Sequence, residues 1–585
     1  MLLGVLLAFA QSRAAETLKV EVRGLASSLS LKGGAKSADL RKNVLSTLSI
    51  DDARKEKDLT ERRIRQLHAQ APDEIKRALE PYGYYKPVIE ASLEKEGDTW
   101  VATYQVDPGP ELHVSDVDIT LAGEGASDAR FQRLVSSFPL KKGDVLVSPE
   151  YESGKKAFED LASKAGFMDA GFKEHRTEVN LEAYSSVLHL HFDTGPLYFF
   201  GPTQFEQDFL DERVVRGYVT WQEGRPFDLD ELLKMQGALS DAPYFSRVEV
   251  EPREAEAGPD RRVPVHVLLL PSKRLRMAFG FGYGTDTGPR GSAALQFRRL
   301  NRKGHHAEIE LKISAVEQTA GARYMIPGYY PRTDLLTFSI GYGHFRPSSF
   351  KANTEFVGAE YAWSRGRWRD AISLFEQREE FTVGLDKGTS YLLLPGVHTE
   401  RVKADDRLYT HNGWKVELEV KGAAKNVLSN ASVVRPRVYG KYIKSLRPKL
   451  RLIARAEIGY LVTNDFHALP PRIRFFAGGD SSVRGYRFQT LGERDSAGNV
   501  IGGEALRTVS LELDQRVSDK LGGLGVAVFG DAGNATRSFS EKMKKGAGWG
   551  VRWKSPIGMV RADMAWALDL PRTPIRFHLN IGPDL

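Results

Sequence analysis

The stretch Phe475-Phe476-Ala477-Gly478-Gly479-Asp480-Ser481-Ser482-Val483-Arg484-Gly485-Tyr486 joins two aromatics, a diglycine and an Arg-Gly-Tyr tip. Gly478, Gly479 and Gly485 allow a loop to fold back tightly, because glycine reaches positive φ at little steric cost. Arg484 offers five donors in a fixed fork and calls for a carboxylate partner.

The sequence around this loop reads as strands. Leu275, Met277, Phe279, Phe281 and Tyr283 share one face, while Arg276, Ala278, Gly280, Gly282 and Gly284 share the other. Ala307, Ile309, Leu311 and Ile313 alternate with Glu308, Glu310, Lys312 and Ser314. Leu336, Phe338, Ile340 and Tyr342 repeat the pattern, as do Ile575, Phe577, Leu579 and Ile581 near the end. A soluble sandwich also alternates, but a membrane barrel accounts for apolar residues that repeatedly face away from charged ones. Residues 272–585 provide 314 positions, in which about 16 strands of roughly 9–11 residues fit with their turns and loops, although the length does not fix that number. Lipid tolerates no open sheet edge, so such a sheet has to close.

The first and last strands predict a weak join. Glycine in 275–284 weakens packing and register, and Pro571, Pro574 and Pro583 remove ladder donors on either side of the last strand. A short or frayed lateral seam follows, bounded by Leu275, Met277, Phe279, Gly280, Phe281 and Gly282 on one side. Phe577, Leu579 and Ile581 bound the other. Ordinary closure, with the glycines making room for a plug, is the competing reading.

Upstream, three phrases recur about 80 residues apart: Tyr82-Gly83-Tyr84-Tyr85, then Ala165-Gly166-Phe167 with Ala170-Gly171-Phe172, then Ala242-Pro243-Tyr244-Phe245. Asp107-Pro108-Gly109-Pro110 and Asp193-Thr194-Gly195-Pro196 mark the same period. In the third copy the order is legible: strand 199–205, helices 211–218 and 228–239, strands 248–251 and 263–269. Expected boundaries are a secretory leader at 1–15, modules at 16–109, 110–195 and 196–271, and a barrel at 272–585. The leader rests on the apolar run 2–10 and the small residues Ala14-Ala15.

The net charge of +7 hides a split. Residues 1–271 hold 34 Lys+Arg against 45 Asp+Glu, while 272–585 hold 49 against 31. Nucleic-acid binding is a poor reading of the basic half, since its charges alternate with apolar residues instead of forming a basic cluster. With no cysteine, disulfide frameworks and thiolate metal sites are excluded. His189 and His191 share a strand face but lack a third ligand nearby, so no metal is expected. No GxSxG elbow, Walker lysine or HExxH occurs, and no cofactor or enzymatic activity is expected.

The 475–486 stretch resembles the lumenal-loop signature of the outer-membrane insertase superfamily, the BamA-like proteins with POTRA domains ahead of a 16-stranded barrel. Phe529-Gly530-Asp531-Ala532-Gly533 looks like that superfamily's strand motif carrying the arginine's acidic partner. Gly548-Trp549-Gly550-Val551-Arg552 with Pro556-Ile557-Gly558 resembles its penultimate strands. The resemblance implies α+β POTRA repeats, three here, followed by a transmembrane β-barrel. It implies a lumenal loop motif of Gly478, Gly479, Val483, Arg484, Gly485 and Tyr486, and a barrel-wall partner set of Asp531, Phe529 and Gly533.

Three copies and the ending Asn580-Ile581-Gly582-Pro583-Asp584-Leu585 are similar to the TamA group, the translocation and assembly module. That group implies insertion of β-barrel clients, autotransporters included, with a TamB-like inner-membrane-anchored partner. It also implies the outer membrane of a Gram-negative bacterium, with the POTRA domains in the periplasm. Clients would insert through the lateral seam. A two-partner-type secretion pore and a lipid-transfer conduit with TamB remain the alternatives.

Overall fold

The computed structural model describes residues 17–25, 39–56, 58–406, 409–518, 523–555, 558–582 and 584; the expected leader lies outside them. By its internal contacts the chain divides into two compact units.

The N-terminal part contains three three-stranded sheets of like order. In the first, β1 (Thr17–Arg23) runs parallel to β3 (Thr99–Asp107), which pairs antiparallel with β2 (Val88–Glu96). Helices Leu40–Thr47 and Glu61–Leu79 cover the sheet's core. Thr60 accepts from the Arg63 amide and starts the longer helix, as an N-cap threonine does. Its buried residues Ile64, Leu67, Ala71, Ile75 and Ala78 recur at three- and four-residue intervals and pack with Val22, Ala102 and Tyr104.

The second sheet repeats this with β4 (His113–Ala122), β5 (Gly171–Asn180) and β6 (Ser185–Asp193), over helices Ala129–Ser136 and Ser148–Lys164. A cluster of Phe131, Phe158, Phe167 and Phe192 fills its core. The third sheet has the order β7 (Phe199–Glu206), β9 (Arg262–Pro271), β8 (Phe245–Pro252). Its two helices are Glu212–Arg216 and Leu229–Asp241. The first is shorter than the expected 211–218 because Gly217 caps it, its amide donating to the Arg213 carbonyl.

The second unit is built on a 16-stranded antiparallel sheet. Its strands are β10 (Leu275–Gly284), β11 (Gly288–Phe297), β12 (His306–Ser314), β13 (Glu317–Pro327), β14 (Leu335–Phe345) and β15 (Phe350–Arg365). They continue as β16 (Trp368–Val383), β17 (Asp386–Ala404), β18 (Asn412–Ala423), β19 (Val433–Arg447) and β20 (Leu450–Tyr460). Residues 461–504 then leave the wall and carry a small hairpin, β21 (Glu493–Arg494) and β22 (Val500–Gly502). The wall resumes with β23 (Ala505–Ser518), β24 (Leu524–Thr536), β25 (Lys544–Ser555), β26 (Gly558–Ala567) and β27 (Ile575–Gly582).

The alternation read from sequence separates the two faces. Met277, Phe279 and Phe281 are 63%, 70% and 92% exposed, far beyond what a water-facing wall tolerates in a continuous row. Ile313, Ile340, Val357, Leu511, Val528 and Phe577 extend the exposed apolar face along the strands. The opposite face holds the buried charges. The sheet is a nearly closed barrel with an apolar outside and a polar inside.

Candidate functional site: the lumenal loop and the seam

Residues 461–504 fold into the barrel. Leu461, Leu469, Ile473, Phe475, Ala477, Val483, Tyr486 and Leu491 form one buried cluster with the wall residues Leu392, Val433, Leu506, Ala535 and Ala567. Arg474, fully buried, fixes the loop's base by donating to Asp386 at 2.9 Å and to the carbonyls of Leu469, His467 and Ile501. Gly478, Gly479 and Gly485 have φ of +98°, +105° and +95°. At Gly485 a Cβ would lie 2.8 Å from the Trp566 carbonyl, so glycine is required there by both conformation and space.

That turn delivers Arg484 to the inner wall. Its Nε donates to Asp531 Oδ2 at 2.8 Å and its Nη2 to Asp531 Oδ1 at 2.9 Å, a two-pronged pair. The Arg484 amide also donates to Asp531 Oδ2, at 3.0 Å. Nη1 reaches Glu512 at 2.7 Å and Asp563 at 3.0 Å, and Nη2 reaches Ser510 Oγ. The guanidinium lies 3.3 Å from the ring centroid of Phe529. Arg552 closes the network, binding Glu512 at 2.8 Å and Asp563 at 2.5 Å. Two guanidiniums and three carboxylates are thus buried together on β23, β24, β25, β26 and the loop. Burial disfavours the charged Arg484, but Asp531, Glu512 and Asp563 outweigh it and hold the group more firmly protonated than usual.

Of the residues named from sequence, Val483, Arg484, Gly485 and Tyr486 lie against the wall, and Asp531 and Phe529 meet Arg484 directly. Tyr486 donates its hydroxyl to the Lys545 carbonyl at 3.2 Å. Gly533 does not touch the arginine; a Cβ there would meet Thr508 and the Arg507 carbonyl, so it serves close packing of β24 on β23. Glu512, Asp563 and Arg552 as a linked set were missed. Each is one alternate position on its own strand, and only the barrel's register brings them together.

The seam residues divide similarly. β10 pairs with β11 through all ten of its residues, so its glycines do not fray that side. Between β10 and β27 there is no ladder among the described residues, although every other neighbouring pair in the sheet has one. Leu579 donates its amide to Thr285 Oγ1 at 3.2 Å. Leu275, Met277, Phe279 and Phe281 are exposed on the outer face, as is Phe577; Gly280 and Gly282 face inward, where Cβ atoms would meet Ser292 and Arg290. Ile581 is half-buried.

Asp584 is buried and accepts from Arg451 at 2.7 Å, from Arg561 at 2.6 Å and from the Thr410 amide at 3.0 Å. Lys441 binds its carbonyl, and Arg451 is shared with Asp514. Arg451, Arg561 and Lys441 all belong to the inward face, so Asp584 is held on the lumenal side of the wall.

Comparison with known proteins agrees with this architecture. Residues 332–584 match the Omp85 superfamily domain, and residues 28–108 match the model described as POTRA domain TamA domain 1. The outer membrane protein assembly factor BamA of Nitratidesulfovibrio vulgaris (strain Hildenborough) is 22% identical over 538 residues, covering 86% of this chain. The chain spans 66% of that relative's length. Among solved structures, BamA from Haemophilus ducreyi lacking POTRA domains 1–3 superposes with a TM-score of 0.63 at 16% identity, covering 80% of this chain and 99% of that one. CdiB from Escherichia coli aligns at a TM-score of only 0.45, with 14% identity over 88% of this chain and 97% of that one. The barrel half therefore carries an Omp85 superfamily domain, with a POTRA domain ahead of it.

Proposed function

We propose that this protein is an outer-membrane assembly factor that inserts β-barrel clients through the seam between β10 and β27. The observation that carries the reading is the missing ladder. Among the described residues fifteen neighbouring pairs in a 16-stranded sheet are zipped and the sixteenth is not, so β10 keeps an edge on which an incoming strand can pair. The inner anchor at Arg484 supports it, because a wall held by buried ion pairs keeps its shape while one joint opens.

On this reading residues 16–109, 110–195 and 196–271 are three POTRA domains in the periplasm and 272–585 is the membrane barrel. The TamA-type match at 28–108 favours a translocation-and-assembly role, including autotransporter clients and a TamB-like partner. No covalent chemistry is needed: client folding supplies the free energy and the protein lowers the barrier. A secretion pore would need the 461–504 loop to leave a lumen in which it is packed by a 15-residue buried cluster, which disfavours that route.

Photo-crosslinkers placed singly along 275–284, in cells expressing outer-membrane clients, test the proposal. Crosslinks from the outward and edge positions to client strands are expected. Crosslinks only from Ala278, Gly280 and Gly282 to a secreted chain would overturn it in favour of a pore.

A further inference from the structure

One end of the seam is tied, and the tie runs through the lumenal loop. The Asp480 amide donates to Asp286 Oδ2, in the turn after β10, at 2.7 Å. Asp480 Oδ2 accepts from Asn580 Nδ2 on β27 at 2.9 Å. Two residues after Val483, the Gly485 amide donates to His578 Nε2, also on β27, at 3.1 Å. Loop, first strand and last strand therefore meet at one point, which the direct contact of Leu579 with Thr285 completes. Gly479 permits the approach: it adopts φ +105°, and a Cβ there would lie 2.5 Å from Asp286 Oδ2.

We propose that Asp480 is a positioning residue that latches β10 to β27, so that displacement of the lumenal loop and opening of the seam are one movement. The inference rests on the seam reading above and adds what controls it. A main-chain ladder would open only strand by strand, with several hydrogen bonds lost at once. Here four side-chain and loop contacts hold the joint, and all but the Thr285 contact depend on where residues 480–485 sit. Arg484, four residues along the same turn, fixes that position against β23, β24 and β26. A client that displaces the loop, or a motion that loosens Arg484, would thereby release the edge of β10.

The cysteine-free chain makes the test direct. Tyr283→Cys with Leu579→Cys places a reporter pair on the outward face beside the latch, where the Leu579 amide donates to Thr285 Oγ1. Ala293→Cys with Leu311→Cys, partners in the β11–β12 ladder, serves as control. Disulfide yield is read in the full chain in membranes under a fixed oxidant exposure. Asp480→Ala should lower the seam yield roughly fivefold, the equivalent of one ordinary hydrogen bond. The control yield should not change, and Asp480→Asn, which keeps an acceptor for Asn580, should restore the seam yield. Asn580→Ala removes the same contact from the β27 side and should reproduce the loss even if the Asp480→Ala loop fails to fold.

An unchanged seam yield, or equal losses at the seam and control pairs, would overturn the proposal. Client assembly measured in the same variants separates it from the insertase reading. Loss of the latch with wholly unaltered assembly would leave the latch standing and count against insertion through the seam.

Discussion

The wall around Arg484 and the seam beside β10 are opposite solutions on one sheet. At β23–β26 every strand is fully laddered, and buried charges add a second set of cross-strand ties. At β10–β27 there is no ladder among the described residues, one end is held by loop contacts, and past the other Asp584 is bound by lumenal cations. A closed barrel in lipid should satisfy every edge. The difference teaches that this fold concentrates its rigidity in one sector and leaves a single joint to weaker interactions.

The largest effect should come from attacking the rigid sector. Arg484→Ala strips the common partner from Asp531, Glu512 and Asp563, and breaking a buried pair this way costs about 3–5 kcal/mol. The folded barrel should then survive less heating before its electrophoretic mobility shifts. Arg484→Lys should rescue little of this, since an ammonium cannot reproduce the two-pronged contact with Asp531. Wild-type resistance in both variants would remove the contrast between the two regions.

A smaller effect is expected where β27 leaves the wall. Asp584→Asn weakens two charge-assisted contacts, each worth about 1.5–3 kcal/mol, although Arg451 keeps Asp514. Freed from the lumen, the end of β27 should approach β10, and a Phe281→Cys, Ile581→Cys pair, both on the outward face, should form more disulfide than in the parent. No increase would mean that Asp584 does not hold the strand inward.

The smallest and most selective effect is that of pH. Burial and then the Asp480 carboxylate push Asp286 up to about 7, against the opposing hydrogen bond from the Asp480 amide and the charge of Arg576; His578 lies 3.9 Å away. A closed seam therefore binds a proton that an open one releases. Closure is favoured below the ordinary carboxyl range and loses that advantage as pH rises to 7. Disulfide yield at the 283–579 pair, taken relative to the control pair because thiolate reactivity itself rises with pH, should fall between pH 5 and pH 7. Asp584 has the opposite sign: burial alone would raise it, but Arg451 and Arg561 hold it below the usual range. Its clamp should persist from pH 8 down to about 4 and weaken only below that.

Much of the fold was legible because it is written in periods. Alternation along 275–284 and 575–582 placed two strands whose bounds are Leu275–Gly284 and Ile575–Gly582, and the order of elements in 199–269 is the order of β7, two helices, β8 and β9. Strand length was less legible. β15, β16 and β17 run to 16, 16 and 19 residues, beyond what a bilayer crossing requires, and no local signal marks where lipid ends. The site was legible only where a local motif carried it. Arg484 stood out between glycines, whereas Asp480 reads as an ordinary loop acid until the loop folds back. Asp584 reads as a chain ending, and its partners Arg451 and Arg561 lie 133 and 23 residues away.

The most direct test of the account locks the joint. Oxidising the Tyr283→Cys, Leu579→Cys pair in membranes that are assembling outer-membrane clients should stop assembly, and a reductant should restore it. The Ala293→Cys, Leu311→Cys control should assemble clients in either state. Undiminished assembly through a fully oxidised seam would contradict insertion at β10–β27.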